Sequence, residues 1–150
     1  MNDFYTVLKG AHSGWRYIVF VLLIIAVLQA LMAVSGKRPY TEGNRKLNLF
    51  TLISAHIQLL LGLILYFVGS FYQMDSSTVV GRYWKMEHIS MMLLAIVLIT
   101  VGNSRSKKVP DDSAKHKAIL VFFGLALLLI IGAIFMMTKS DPTRHWFGMS

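Results

Sequence analysis

The sequence predicts an all-α integral membrane protein, a single-domain four-helix bundle of up-down-up-down topology. Three observations carry that expectation. Of 150 residues, 55% are hydrophobic and the mean hydropathy is +0.58, a composition suited to lipid rather than water. The apolar residues gather into four stretches, each near the roughly 20 residues that cross a bilayer as a helix. The connections are short, which forces neighbouring helices to run antiparallel.

The first helix is expected over about 13–36. No residue from Tyr17 to Gly36 is charged, and the apolar core is too long for a signal-peptide core, so it is read as an uncleaved span ending at Gly36. Before it, Phe4, Tyr5, Val7, Leu8 and Ala11 are spaced to make a short amphipathic turn at the interface. Pro39 and Gly43 break the loop Lys37 to Lys46, and the second helix follows over 47–69. A polar turn from Gly69 to Ser77 and an interfacial belt, Arg82-Tyr83-Trp84-Lys85, lead into the third helix, 83–103. The fourth occupies 113–138.

The two loops after the first and third helices hold nine of the fifteen Lys and Arg residues, whereas the loop after the second holds only Arg82 and Lys85. By the positive-inside rule both basic loops are expected to be cytoplasmic and both termini outside. Ala26, Ala30, Ala33, Gly62, Gly124 and Gly132 are the residues expected to let backbones approach closely. The net charge of +8 sits beside apolar spans, where it sets topology and meets anionic lipid headgroups, so no nucleic-acid partner is expected. The absence of cysteine excludes disulfides, a thiolate nucleophile, cysteine-bound iron–sulfur clusters and covalently attached haem.

Function is read from the histidines, because His12, His56, His88 and His116 fall one to each helix or helix start. Neutral imidazoles on facing helices of an apolar bundle are ligands for b-type haem, which needs no covalent attachment. At about 1.5 Å rise per residue from the basic ends, His116 lies about 5 Å deep, His56 about 13 Å, His88 about 22 Å and His12 about 34 Å. No two share a level on that scale, an arrangement that also resembles a proton-conducting ladder.

The remaining polar residues follow helical spacing. Asn48, Thr51, Gln58 and Tyr66 share one face of the second helix, while His56 points about 160° from Gln58 at 100° per residue. One face is thus available to the bundle and the other to a cofactor or a partner protein. Gln29 and Gln58 are suited to interhelical hydrogen bonds. Arg16, one turn from His12, can bind a haem propionate or a lipid phosphate, or anchor at the interface. Glu87 can pair with Arg16 or Arg82, Met91 and Met92 can offer thioethers or simply pack, and His145 beside Trp146 reads as an interfacial anchor. No zinc-protease motif, phosphate loop or deep carboxylate pair is present, and no catalytic residue is assigned.

His12-Ser13-Gly14-Trp15-Arg16, His56-Ile57-Gln58-Leu59-Leu60-Leu61-Gly62, Glu87-His88 and the basic loop Ser104-Arg105-Ser106-Lys107-Lys108 together resemble small four-helix bacterial membrane proteins labelled cytochrome b-like. The likeness covers most of the chain and implies haem b and an electron-transfer role. The leading expectation is therefore a redox protein passing electrons between a membrane quinone and a partner. His56 and His88 are the first candidates for the metal, His12 and His116 the second, and Arg16 the propionate contact. The alternatives are a haem-free accessory or assembly subunit of a larger respiratory or membrane complex, and proton or metal-ion handling along the histidine ladder.

Overall fold

The computed structural model describes residues 2–69, 73, 77–79 and 86–140, and its side chains are described within 3–69, 73, 77–79 and 86–136. The bundle comprises α1 (Asn2–Gly36), α2 (Glu42–Val68), α3 (His88–Lys108) and α4 (Asp112–Ser140). All four are long and apolar enough to cross a membrane. Adjacent pairs pack α1 on α2, α2 on α3, α3 on α4 and α4 back on α1, so α1 faces α3 across the diagonal. The α2–α3 seam is the most loosely packed of the four.

Each helix is longer than its uncharged span, and the local chemistry explains why. α2 begins at Glu42, five residues before the expected start, because Thr41 and Asn44 form a reciprocal cap. Asn44 N–H donates to Thr41 Oγ1 at 3.2 Å, and Thr41 N–H donates to Asn44 Oδ1 at 2.8 Å. Arg45 pairs with Glu42 within that polar first turn. α3 continues five residues past 103, placing Arg105, Lys107 and Lys108 in its last turn, where cations oppose the negative end of the helix dipole. Asp111 starts α4 by accepting from Ser113 N–H at 3.1 Å. The expected interfacial turn before the first helix is instead continuous with α1, since no proline interrupts Asn2 to Ser13.

α1 ends in a Schellman arrangement: Arg38 N–H donates to Ala33 O at 2.9 Å, and Lys37 takes the left-handed position at φ 52°. Gly36, the expected terminator, is the last helical residue and has no positive φ.

The core is built of Leu23, Ile99, Ile119 and Phe123 among small residues, including Ala26, Ala30, Ala55, Ala95 and Ala126. Ala26, Ala30 and Ala33 are buried as expected, whereas Gly124 and Gly132 have open space where a Cβ would lie. The glycine on which close approach depends is Gly102: a Cβ there would meet Phe122 Cβ at 2.7 Å. It permits α3 and α4 to touch backbone to backbone. Toward the basic end the interior is polar, with Asn48, Thr51, Asn103, Ser106 and His116 all buried. Arg82 and Lys85, the belt Tyr83-Trp84, and the tail residues His145 and Trp146 lie outside the described residues.

Candidate functional site

A cavity of about 150 Å³ opens among the helices at the end remote from the basic loops. Its walls combine apolar side chains such as Leu59, Met92 and Ile96 with His12, Arg16, Gln58, Tyr66 and His88. Cofactor sites in bundles are made this way, from side chains converging off facing helices.

His12 from α1 and His88 from α3 meet across the diagonal, ring centroids 6.4 Å apart and planes crossed at 69°. The expectation that no two histidines share a level is thus corrected. α3 runs to Lys108, so His88 stands about 30 Å from that end rather than about 22 Å, close to the level of His12 at about 36 Å from Gly36. Apolarity is lost before the helix ends, because the last turn of α3 is basic and still helical.

The backbone around His12 is fixed by α2. Gln58 Nε2 donates to His12 O at 2.8 Å, and Trp15 Nε1 donates to Ser54 O at 2.9 Å. Gln58 therefore makes the interhelical bond expected of it. Its Oε1 is buried and accepts no hydrogen bond among the described residues. Gly62 lies against the imidazole: a Cβ there would stand 3.1 Å from His12 Nε2. Arg16 reaches the same cavity, and its guanidinium stacks over the Tyr17 ring at 5.0 Å.

His56 does not join this pair, and the expected pairing of His56 with His88 is not formed. His56 is exposed on the outer side of the bundle, where its Nε2 lies 3.0 Å from Thr100 Oγ1 of α3. The separation of the two polar faces of α2 was legible in the sequence, and the structure turns Asn48, Thr51 and Gln58 inward and His56 outward. With His56 outside, the histidines do not line one internal path.

His116 is 2% exposed and is committed elsewhere: its Nε2 lies 3.1 Å from Pro39 O, a group that can only accept, so the imidazole donates. Tyr40 packs edge-on against it at 5.1 Å and its hydroxyl accepts from Asn48 Nδ2 at 3.0 Å. His116 thereby ties the α1–α2 loop to α4. Among the described residues no three His, Asp or Glu side chains converge as a metal-ion site requires.

Two imidazoles bound to opposite faces of one metal, each nitrogen about 2 Å from it, have centroids about 6 Å apart. The His12–His88 centroid separation of 6.4 Å is of that size, while the rings meet edge-on and His12 Nε2 lies against Gly62. Two imidazoles and a neighbouring arginine in a mostly apolar chamber are the side chains here that could hold a b-type haem, although a porphyrin exceeds the enclosed volume. Compared with known protein families, curated proteins and solved structures, the chain finds no match.

Proposed function

We propose that this chain is a b-type cytochrome-like redox protein of the bacterial inner membrane, in which His12 and His88 would hold one haem. The observation that carries the reading is the meeting of these two imidazoles across the bundle diagonal, ring centroids 6.4 Å apart. Haem would supply one-electron exchange at iron. The chain's part is to hold the two rings in a largely apolar chamber, with Gln58 fixing the backbone of His12 and Arg16 available to a propionate. A porphyrin exceeds the enclosed volume, so the reading requires the loose α2–α3 seam to widen at this end. A membrane quinone and a larger respiratory complex are the partners in this reading, and the positive-inside pattern puts both termini outside the cytoplasm.

The test is a reduced-minus-oxidised spectrum with a pyridine haemochrome assay on protein purified in mild detergent with haem supply not limiting. His12→Ala and His88→Ala are each expected to lose the haem signal, while His56→Ala keeps it. Absence of haem from the unmodified chain would overturn the proposal and leave a haem-free accessory subunit.

A further inference from the structure

Gln29 is left without the interhelical bond that Gln58 makes. It is the only polar side chain between Tyr17 and Ser35, and it stands seven residues, about 10 Å, inside the basic end of α1. Among the described residues its side chain makes no hydrogen bond, and neither of its polar atoms is buried, so the carboxamide reaches the outer surface of the bundle. A carboxamide turned toward hydrocarbon is costly unless its donor and its acceptor both find partners.

The residues along the same face of α1 form a seam. Ile18, Leu22, Ile25, Gln29, Met32 and Gly36 follow at alternating steps of four and three, the spacing that keeps one stripe of a helix against a partner helix. The bundle itself buries the neighbouring stripe, through Leu23, Ala26 and Ala30. Ile18, Ile25 and Met32 are 43%, 45% and 51% exposed, so the other three helices leave this second stripe uncovered.

We propose that this stripe is the contact between two copies of the chain, joined by reciprocal hydrogen bonds between their Gln29 carboxamides. Copies inserted with one topology are related by a twofold axis along the membrane normal, so their first helices pack in parallel and each stripe residue faces its own counterpart. A carboxamide is suited to that symmetry because it is its own complement: Nε2–H of each copy donates to Oε1 of the other. A lipid ester only accepts, and would leave Oε1 unpaired. The aliphatic residues on either side supply packing, and the single polar position fixes the register, since an axial slip would break both bonds.

The chain contains no cysteine, so a disulfide formed by a single introduced thiol must join two copies. Ile25→Cys and Met32→Cys, made singly in the full chain, are expected to give disulfide-linked dimers when native membranes are oxidised. Val97→Cys, similarly exposed at 54% but on α3, should not. Gln29→Leu retains the apolar packing and removes both hydrogen bonds. Its dissociation constant, measured by energy transfer between labelled copies in lipid vesicles, should rise about tenfold, the effect of two interhelical hydrogen bonds in lipid. Gln29→Asn, which retains a carboxamide, should show a smaller rise. In detergent that holds the chain monomeric, the Tm of Gln29→Leu should not fall, which separates a lost dimer from a lost fold. No disulfide at either stripe position, an equal yield at Val97→Cys, or a dissociation constant unchanged by Gln29→Leu would each overturn the proposal, the last by assigning the carboxamide to water or lipid headgroups. A lower Tm would overturn it too, by assigning Gln29 to the bundle. None of these readouts uses haem, so this proposal and the cytochrome reading can fail separately.

Discussion

Close approach of α3 and α4 rests on the missing side chain of Gly102. The nearest atom a new Cβ would meet is Phe122 Cβ at 2.7 Å, which is fixed to the backbone of α4 and cannot swing aside, and Phe123 follows at 3.1 Å. Gly102→Ala is therefore expected to destabilise the bundle by about 1–3 kcal/mol, the usual cost of overpacking. Gly132→Ala, with nothing within 4 Å of the added carbon, should be neutral or gain up to about 1 kcal/mol from helix propensity. Melting temperatures of both variants in one detergent check the pair, and equal shifts would refute the packing assignment. The sequence marked Gly124 and Gly132 as contacts and passed over Gly102, and there is a physical reason. In a lipid-solvated helix the outward face is as apolar as the core, so composition does not reveal which side of a helix a small residue occupies. His56 illustrates the same limit. Its divergence from Gln58 followed from helical geometry, but nothing in the chain said which of two polar-capable faces would turn inward. The chemistry of the site, imidazoles distributed through an apolar bundle, was readable residue by residue, and the pairing of His12 with His88 was not.

At the scale of the element, existence and order of the helices were readable from apolar length, and their ends were not. Charge marks the boundary of each apolar span but not of its helix, because helices that cross membranes continue through charged turns at the interface. The capping pair Thr41 and Asn44 and the basic last turn of α3 were the signals that locate the true ends. The termination of α1 yields a test of its own. Lys37 occupies the left-handed C′ position at φ 52°, a conformation that costs a residue with a Cβ about 1–2 kcal/mol. Glycine escapes that cost but brings greater freedom to the unfolded chain, worth about 0.5–1 kcal/mol. Lys37→Gly is accordingly expected to stabilise the protein by up to about 1 kcal/mol, seen as a higher midpoint in denaturant. Lys37→Ala, which retains a Cβ and therefore the strain, should show no such gain. A gain of equal size in both variants would mean that the charge of Lys37, not its backbone conformation, is the destabilising feature.

For the whole molecule, the asymmetry between the two ends links architecture to function. The basic end is closed: Asn48, Asn103, Ser106 and His116 fill its interior, His116 ties the α1–α2 loop to α4, and Lys115 Nζ donates to Ser106 O at 2.8 Å. The opposite end is where the cavity and the His12–His88 pair lie, beneath the first turns of α1 that extend beyond the membrane-spanning length. If the basic loops face the cytoplasm, the cavity that holds the His12–His88 pair lies toward the outer surface. Orientation is testable without background because the chain contains no cysteine. Asp3→Cys and Ser104→Cys place single thiols at exposed positions on opposite ends of the bundle. In intact spheroplasts a membrane-impermeant maleimide should label Asp3→Cys and leave Ser104→Cys unmodified until the membrane is permeabilised. The reverse pattern would invert the topology and move the histidine pair to the cytoplasmic side. Labelling of both thiols in intact spheroplasts would place both ends outside and mean that α1, α2 and α3 do not all cross the membrane.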